Sequence, residues 1–273
     1  MFTIKNHLLD GVEYFQSPNT SGYMDPKYLV IHFTAGRSNA VDTAKYFQNP
    51  SAKASAHLNL SEDGTWTQSV PFNVKAWHAG KSRWGGHVGL NHNSIGIEVC
   101  NPGPLTITKN GYRAWFGTIY DDPDIIEAPH PNNPNGPRYG WKPFTEAQNQ
   151  QLIEVGQLLM EEYRLVEAIG HDMISPGRKV DPGPTMDDRI YDILNNPRSD
   201  ISESSNWVWH VSGVNDYLNG RSGPSTSHDI LAQLEPYAEV EIIKRNGVWW
   251  FVETEDGKEL WVHSKFLSMK KVE

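Results

Sequence analysis

Cysteine is almost absent from the sequence, and this limits the ways in which the fold can be held together. Cys100 is the only cysteine among 273 residues, so no disulfide can form within the chain. A zinc site built from several thiolates is excluded for the same reason, and any metal must be bound by His, Asp or Glu. Cys100 ends the apolar run SIGIEVC, which predicts a small buried hydrophobic residue.

Long apolar runs and an excess of positive charge are also lacking. No stretch of about 18 apolar residues is present, which argues against a membrane-spanning helix, and the first residues lack the apolar region of a signal peptide. The formal net charge is -9, from 24 basic and 33 acidic residues. Nucleic-acid binding needs a basic surface. We therefore expect no membrane insertion, no nucleic-acid partner and no export signal.

Turn residues and composition divide the chain into two parts. The length alone suggests one large domain or two smaller ones. Residues 195–206 are polar, with Pro197 and four serines, a composition typical of a linker. After this segment, short apolar runs alternate with Asn-Gly and Asp-Gly turns, which predicts a small antiparallel β-barrel. We therefore predict a first domain at 1–195, a linker at 196–209 and a small barrel at 210–273.

The first part has the pattern of an α/β domain. Two apolar runs, Tyr28–Phe33 and Ser94–Cys100, predict buried strands. Between them, apolar residues about one turn apart predict a helix at 38–48, and the Glu-Asp-Gly sequence at 62–64 predicts a hairpin turn. His32 lies near the C-terminal end of the first strand, where open α/β sheets place their ligands.

Later in the first part, a long polar stretch precedes a helix. Residues 101–143 are rich in Pro, Gly and Asn, and we predict a long loop without regular structure. Thr145 and Gln148 have the spacing of a capping box, and the apolar period that follows predicts a helix at 146–164. A shorter helix is predicted at 187–194.

The segment 170–184, GHDMISPGRKVDPGP, carries three chemically active side chains close together in sequence. His171, Lys179 and Asp181 lie within eleven residues, and the prolines and glycines between them exclude a long helix or a central strand. An ordered loop that presents an imidazole, an ammonium and a carboxylate is typical of a functional site. The alternative is a surface loop whose polar side chains are only solvated.

Together with His32, this loop contains the ligand types of a catalytic zinc site. Two neutral imidazoles and a carboxylate, here His32, His171 and Asp181, would leave the fourth position to water. The spacing is not the His-Glu-x-x-His of helical zinc proteases, which the sequence lacks. Glu98 is a candidate general base, with a structural ion pair as the alternative, and Lys179 is a candidate to stabilise an oxyanion.

Four blocks of the sequence resemble one enzyme family, and they occur in the family's order. The blocks are LVIHFTAG, SAHLNLSEDGTWTQSVPFNVKAWHAG, NHNSIGIEVCN and GHDMISPGRKVDPGP. They are similar to the zinc-dependent N-acetylmuramoyl-L-alanine amidases of the type 2 amidase family, over roughly residues 25–195. The resemblance implies a mixed central sheet flanked by helices, Zn²⁺ as the cofactor and peptidoglycan, both glycan strand and stem peptide, as the partner.

The family motifs also imply a role for each candidate residue. The positions of the zinc ligands correspond to His32, His171 and Asp181. The position of the catalytic glutamate corresponds to Glu98, and that of the assisting lysine to Lys179. Every one of these positions carries the residue that the family motif expects.

The remaining histidines and one tryptophan are assigned by their surroundings. Trp77 and His78, in the block AWHAG, are predicted to line the substrate groove, because aromatic platforms suit sugar and peptide ligands. His57 lies within a strand pattern, and we expect a structural role for it. His130 lies in the long polar stretch, and we expect a solvated side chain.

The C-terminal part has a resemblance of its own. The segments RSGPS, NGVWW and WVHSKFL resemble bacterial SH3-type domains, although Gly220 stands where an apolar residue usually precedes the arginine. The resemblance implies binding to peptides or glycan of the bacterial cell wall. A packing or dimerisation module is the alternative, because small barrels serve many functions.

These observations predict a cell-wall hydrolase. The expected reaction is hydrolysis of the amide bond between N-acetylmuramic acid and L-alanine of peptidoglycan. One rival is a receptor-like protein that binds peptidoglycan without cutting it, and another is a zinc peptidase that cuts within the stem peptide. The combination of domains resembles a phage endolysin, made in the cytoplasm and released to act on the wall. A secreted enzyme whose signal has been removed is the other setting.

Overall fold

Two units, each with its own sheet, make up the part of the chain that the structure describes. The structure is a computed structural model and describes residues 2–36, 39–195, 207–246 and 249–271. One unit lies within 1–82 and 88–197, and the other within 83–87 and 198–273. In the described residues, no helix combines the length and the hydropathy needed to cross a membrane.

The helices and strands of the described residues have the following bounds. The α-helices are α1 (Ala40–Gln48), α2 (Glu146–Glu162), α3 (His171–Ile174) and α4 (Asp188–Asn195). The strands before residue 196 are β1 (Ile4–Lys5), β2 (Leu8–Leu9), β3 (Glu13–Tyr14), β4 (Thr20–Tyr23), β5 (Tyr28–Phe33), β6 (Leu58–Leu60), β7 (Trp66–Gln68), β8 (Val74–Ala76), β9 (Arg83–Trp84), β10 (His87–Val88), β11 (Ser94–Val99), β12 (Thr106–Thr108), β13 (Gly111–Arg113), β14 (Ile119–Tyr120), β15 (Ile126–Pro129), β16 (Arg138–Trp141) and β17 (Glu167–Gly170). The later strands are β18 (Trp207–Val211), β19 (Leu218–Arg221), β20 (Ile230–Leu234), β21 (Glu239–Asn246), β22 (Trp249–Thr254), β23 (Glu259–His263) and β24 (Leu267–Lys271).

The first unit is built on a six-stranded mixed sheet in the order β17-β5-β11-β6-β7-β3. The two neighbours of β5 both run parallel to it, with Gly170 and Ile97 opposite Ile31. All six residues of β5 are buried, as a continuous apolar run in a parallel sheet requires. The C-terminal ends of β17, β5 and β11 therefore lie at one edge of the sheet. The predicted strand at 28–33 and the predicted hairpin, formed by β6 and β7, are confirmed.

Helix α2 covers part of this sheet, and its start is fixed by side chains. The backbone N–H of Gln148 donates to Oγ1 of Thr145 at 3.1 Å, and the backbone N–H of Thr145 donates to Oε1 of Gln148 at 3.0 Å. The predicted capping box is confirmed. Three side chains of its apolar stripe, Leu152, Val155 and Leu159, are buried in the same core as the strand residues of β5. Each such side chain contributes about 1.5–3 kcal/mol.

The insertion at 101–143 is structured, so the prediction of a loop without regular structure is wrong. It contains a three-stranded sheet, β12-β13-β14, and a hairpin of β15 and β16. A small core of Leu105, Ala114 and Ile125 holds the three-stranded sheet. Strands of two or three residues are too short to show a period of two in sequence. The polar residues at their ends are hairpin turns, as at Gly111, whose φ is 107°.

The second unit contains one seven-stranded sheet in the order β20-β19-β23-β22-β21-β18-β24. Every pairing within it is antiparallel. Residues of β22 alternate between half-buried and buried, with Trp250 and Val252 inside. The predicted strands near 239–245, 249–254 and 260–262 are confirmed. Of the predicted linker, residues 196–206 lie outside the described residues, whereas β18 already begins at Trp207.

Candidate active site

Three side chains from the edge of the first sheet converge on one point. His32 is the fifth residue of β5, and His171 follows β17 directly, so the parallel pairing of these strands brings both rings together. Nδ1 of His32 lies 2.8 Å from Nδ1 of His171 and 2.9 Å from Oδ2 of Asp181. Nδ1 of His171 lies 2.8 Å from the same carboxylate oxygen. All three residues are buried.

Hydrogen bonds on the far side of each ring leave Nδ1 unprotonated. Nε2 of His171 lies 3.2 Å from the carbonyl oxygen of Ala79, which can only accept, and 3.3 Å from Nη2 of Arg178. Because that nitrogen has nearer acceptors at 2.7–2.9 Å, we place the ring proton of His171 on Nε2. Nε2 of His32 lies 2.9 Å from Nδ1 of His78. Nε2 of His78 in turn lies 3.3 Å from the carbonyl oxygen of Ser94. His78 therefore donates through Nε2 and accepts through Nδ1, and His32 donates to it.

The result is a site that needs a cation. Two imidazole lone pairs and a carboxylate oxygen face one another within 2.9 Å, and buried lone pairs repel unless a proton or a metal lies between them. Burial lowers the pKa of His32 to about 4, so its ring is neutral at pH 7. Among the described residues, His32, His171 and Asp181 form the group that could hold a metal ion.

Glu98 lies beside this group on the neighbouring strand. It is opposite His32 in the register of β11 and β5. Its Oε2 atom is buried and has no hydrogen-bond partner among the described residues. Burial, followed by the charge of Asp181, raises the pKa of Glu98 well above its usual value, whereas the charge of Lys179 opposes this shift. A half-buried glutamate with a buried, unsatisfied carboxyl oxygen and a raised pKa has the properties of a proton carrier.

The two predicted groove residues have different surroundings. Nε1 of Trp77 donates to Oγ of Ser21 at 3.1 Å, and the side chain is half-buried. Both ring nitrogens of His78 are used inside the protein, one toward His32 and the other toward Ser94. His78 thus supports a candidate ligand directly, whereas the indole N–H of Trp77 bonds only to a side chain away from that group.

His57 has the structural role that its strand pattern predicts. Its Nδ1 accepts from the backbone N–H of Gly96 at 2.9 Å, and its Nε2 lies 2.9 Å from the carbonyl oxygen of Val74. The ring therefore joins β11 to β8 and is fully buried. Burial lowers the pKa of His57 to about 4, which keeps it neutral at pH 7. Because both of its ring nitrogens are already bonded within the protein, it lies outside the group of candidate ligands.

Two residues near the site carry no signal in the sequence that would have identified them. His130 is buried, so the prediction of a solvated side chain is wrong; its Nε2 lies 3.1 Å from Oδ2 of Asp172. Arg178 donates to the carbonyl oxygens of Ala79 and Lys81, both at 2.9 Å, and ties the loop to the segment after β8. Both residues lie in stretches rich in Pro and Gly, where a sequence gives no period from which to infer long-range contacts.

Comparisons with known proteins agree on one family for the first unit and another for the second. Residues 22–184 match the family described as N-acetylmuramoyl-L-alanine amidase, and residues 216–268 match the bacterial SH3 domain. The amidase AmiD of Escherichia coli K12 is 29% identical over 221 residues, which are 79% of this chain and 66% of AmiD. The 1,6-anhydro-N-acetylmuramyl-L-alanine amidase AmpD of Enterobacter cloacae is 33% identical over 140 residues, which are 48% of this chain and 55% of AmpD.

A solved structure gives the same result for the fold. The crystal structure of a selenomethionine derivative of AmpD superposes with a TM-score of 0.52 at 26% identity, and the match covers 71% of this chain and 99% of that one. The present chain spans 66% of the length of AmiD and 55% of the length of AmpD from Enterobacter cloacae.

Proposed function

The chain belongs to the N-acetylmuramoyl-L-alanine amidase family, and we propose that it hydrolyses the amide bond between N-acetylmuramic acid and L-alanine in peptidoglycan. The observation that carries the proposal is the convergence of His32, His171 and Asp181 on one point with their lone pairs turned inward. We also propose that helices cover both faces of the central sheet, as in the family fold, and that the linker and the domain bounds lie near residues 196–209.

The three converging residues fit Zn²⁺. Two neutral imidazoles and one carboxylate are a common ligand set for catalytic zinc, with one position left for water or substrate. When bound, zinc would supply Lewis acidity toward the amide carbonyl and toward a water molecule. The present distances of 2.8–2.9 Å between ligand atoms require only a small outward shift to surround an ion at about 2.0–2.2 Å.

Two further residues carry the proton and the charge. Glu98 takes the proton from the attacking water and returns it to the leaving amine, because its raised pKa matches that of a group that must both accept and release a proton. Lys179 lies close enough to influence the pKa of both His32 and Glu98. Its ammonium stabilises the negative charge that develops on the carbonyl oxygen.

The other predicted residues shape the site. Trp77, half-buried with its indole N–H bonded to Ser21, lines the groove for the sugar or the peptide. His78 holds the proton of His32 on Nε2 and keeps Nδ1 free for the metal. The second unit, which matches the bacterial SH3 domain, binds the wall and retains the enzyme on its polymeric substrate. The bacterial cell wall is then the place of action, as in an endolysin.

Mass spectrometry of digested peptidoglycan tests the proposal. The protein, with and without a chelator, is incubated with purified peptidoglycan. The expected products are stem peptides beginning with L-alanine, which disappear on chelation and return with zinc. The H32A variant should release nothing, whereas H92A, which removes an exposed histidine, should act as wild type.

Two other outcomes would favour the rival functions. Products cut within the stem peptide would show a peptidase that uses the same metal centre. A protein that binds zinc and pellets with the wall, yet releases no product, would be a receptor. Either result would overturn the proposed reaction while leaving the metal centre in place.

A further inference from the structure

The insertion contributes one buried side chain to the loop that carries two of the three candidate ligands. Nε2 of His130 lies 3.1 Å from Oδ2 of Asp172 and 3.1 Å from the carbonyl oxygen of Val180. Asp172 follows His171 in the chain, and Val180 precedes Asp181. One imidazole N–H therefore binds the immediate neighbours of both ligands.

The hydrogen bonds around this ring fix its tautomer and extend the contact. Nδ1 of His130 accepts from the backbone N–H of Asn132 at 3.1 Å, so the ring proton is on Nε2. The side-chain amide of Asn132 donates to the carbonyl oxygen of Asp172 at 3.3 Å. Within the loop, the backbone N–H of Asp172 donates to the carbonyl oxygen of Asp181 at 2.7 Å. Together these bonds join the two ends of the loop through the insertion.

Burial makes this set of bonds effective. The side chains of His130 and Asp172 are 7% and 9% exposed, and hydrogen bonds away from water are stronger and more costly to break. Trp141 packs against both His130 and the loop. Its ring lies 6.0 Å from the ring of His130, and its edge is so close to Gly183 that a Cβ there would be 2.9 Å away.

The loop needs such a restraint, because nine residues separate His171 from Asp181 and several are exposed. A metal site requires its ligands within about 0.5 Å of the productive geometry. We propose that His130 is a positioning residue, which holds both ends of this loop at the separation that metal binding requires. The proposal rests on the metal centre of the proposed function and assigns part of that centre to the insertion.

Zinc affinity tests the proposal on the full chain. The dissociation constant is measured by competition with a chromophoric chelator, and the visible spectrum of the Co²⁺-loaded protein reports the ligand geometry. H130A should bind zinc about tenfold more weakly and shift the Co²⁺ spectrum. H130Q retains an N–H donor of similar reach and should recover most of the affinity. D172N keeps the shape of the pair but removes its charge, and should show a smaller loss.

The matched control is K142M. It removes another ion pair of the insertion, in which Nζ of Lys142 lies 2.8 Å from Oε1 of Glu62. It should leave zinc affinity and the Co²⁺ spectrum unchanged. The proposal is overturned if H130A and D172N bind zinc as wild type does, or if K142M weakens binding as much as H130A. A wild-type protein that binds no zinc would instead overturn the proposed metal centre, and with it the positioning role of His130.

Discussion

Glu98 combines a buried, unsatisfied carboxyl oxygen with a raised pKa, which a structural ion pair would not show. A buried carboxyl oxygen without a partner is a cost to stability unless substrate or water uses it. The E98Q variant keeps the shape and removes the ability to take a proton. We expect kcat to fall by about 10²–10⁴ and zinc affinity to be unchanged, measured by muropeptide hydrolysis and by chelator competition.

The matched control for this variant is E13Q, which alters an exposed glutamate in β3 of the same sheet. Its kcat should equal that of wild type. A full loss of zinc binding in E98Q would show that Glu98 supports the metal centre rather than the proton transfer, and would contradict the assigned role.

Cys100 predicts a measurable pH dependence of stability. Burial raises the pKa of its thiol from the ordinary value of 9.0 to about 12. Below pH 9 the thiol keeps its proton in both states, whereas between pH 9 and 12 the unfolded chain releases a proton and the folded chain does not. The free energy of unfolding should therefore fall by about 1.4 kcal/mol between pH 8 and pH 10.

Urea denaturation at pH 8 and at pH 10 measures the fall in the free energy of unfolding. In the control variant C100A, this fall should be smaller than in wild type by the contribution of the thiol. Burial also raises the pKa values of Tyr28 and Tyr163 to about 12, and their effect on the free energy of unfolding appears mainly above pH 10. If wild type and C100A lose equal stability, the buried thiol is not the source. Because the thiol is buried, we also expect Cys100 to react slowly with a thiol reagent in the native protein.

At the residue scale, a sequence can single out a polar side chain that interrupts an apolar strand. His32 stands at the end of an apolar strand, and Glu98 is the one charge within another, so both were visible as exceptions to a pattern. His130 follows Pro129 in a stretch with no pattern to violate. Its burial depends on contacts with Asp172 and Val180, about 40 and 50 residues away, and no local rule can anticipate such contacts.

At the scale of elements, β11 is packed against a side chain that orients a candidate ligand. A Cβ on Gly96 would lie 2.5 Å from the ring of His78, so G96A must displace that ring. We expect a loss of about 1–3 kcal/mol in the free energy of unfolding. We also expect weaker zinc binding, because the displaced His78 no longer holds the proton of His32 on Nε2.

The control is G156A, where a Cβ would meet Leu194 at 2.7 Å between α2 and α4. This variant overpacks a helix contact and should lose stability without any change in zinc affinity. Thermal unfolding and chelator competition measured on both variants separate the two effects. If G96A binds zinc as tightly as wild type does, His78 does not support the binding of zinc by His32.

The sequence predicts well those elements that are long enough to show a clear pattern of apolar residues. Helix α2 has seventeen residues and a capping box, and β5 is an uninterrupted apolar run. The insertion was predicted wrongly because its strands are two to four residues long. Their pairing is decided by tight turns and by a core of three residues, which appear only when the chain is folded.

For the whole molecule, metal binding should couple to folding. A ligand that binds only the folded state stabilises it by about 4 kcal/mol at 1,000 times its dissociation constant. Treatment with EDTA should therefore lower the melting temperature and abolish hydrolysis, and added zinc should restore both. H32A should show no such response to zinc. A melting temperature that is identical with and without EDTA would contradict a folded-state metal site.

The pairing of β5 with β17 also determines when the candidate metal site can form during synthesis on the ribosome. His32 and His171 are 139 residues apart in the chain, and translation at about 5–20 residues per second separates their emergence by about 7–28 s. During that interval the most apolar strand of the sheet has no partner on one side, and such edges attract chaperones or aggregate. The metal pocket cannot exist before His171 and Asp181 have been made, so metal can bind only after most of the first unit has been synthesised.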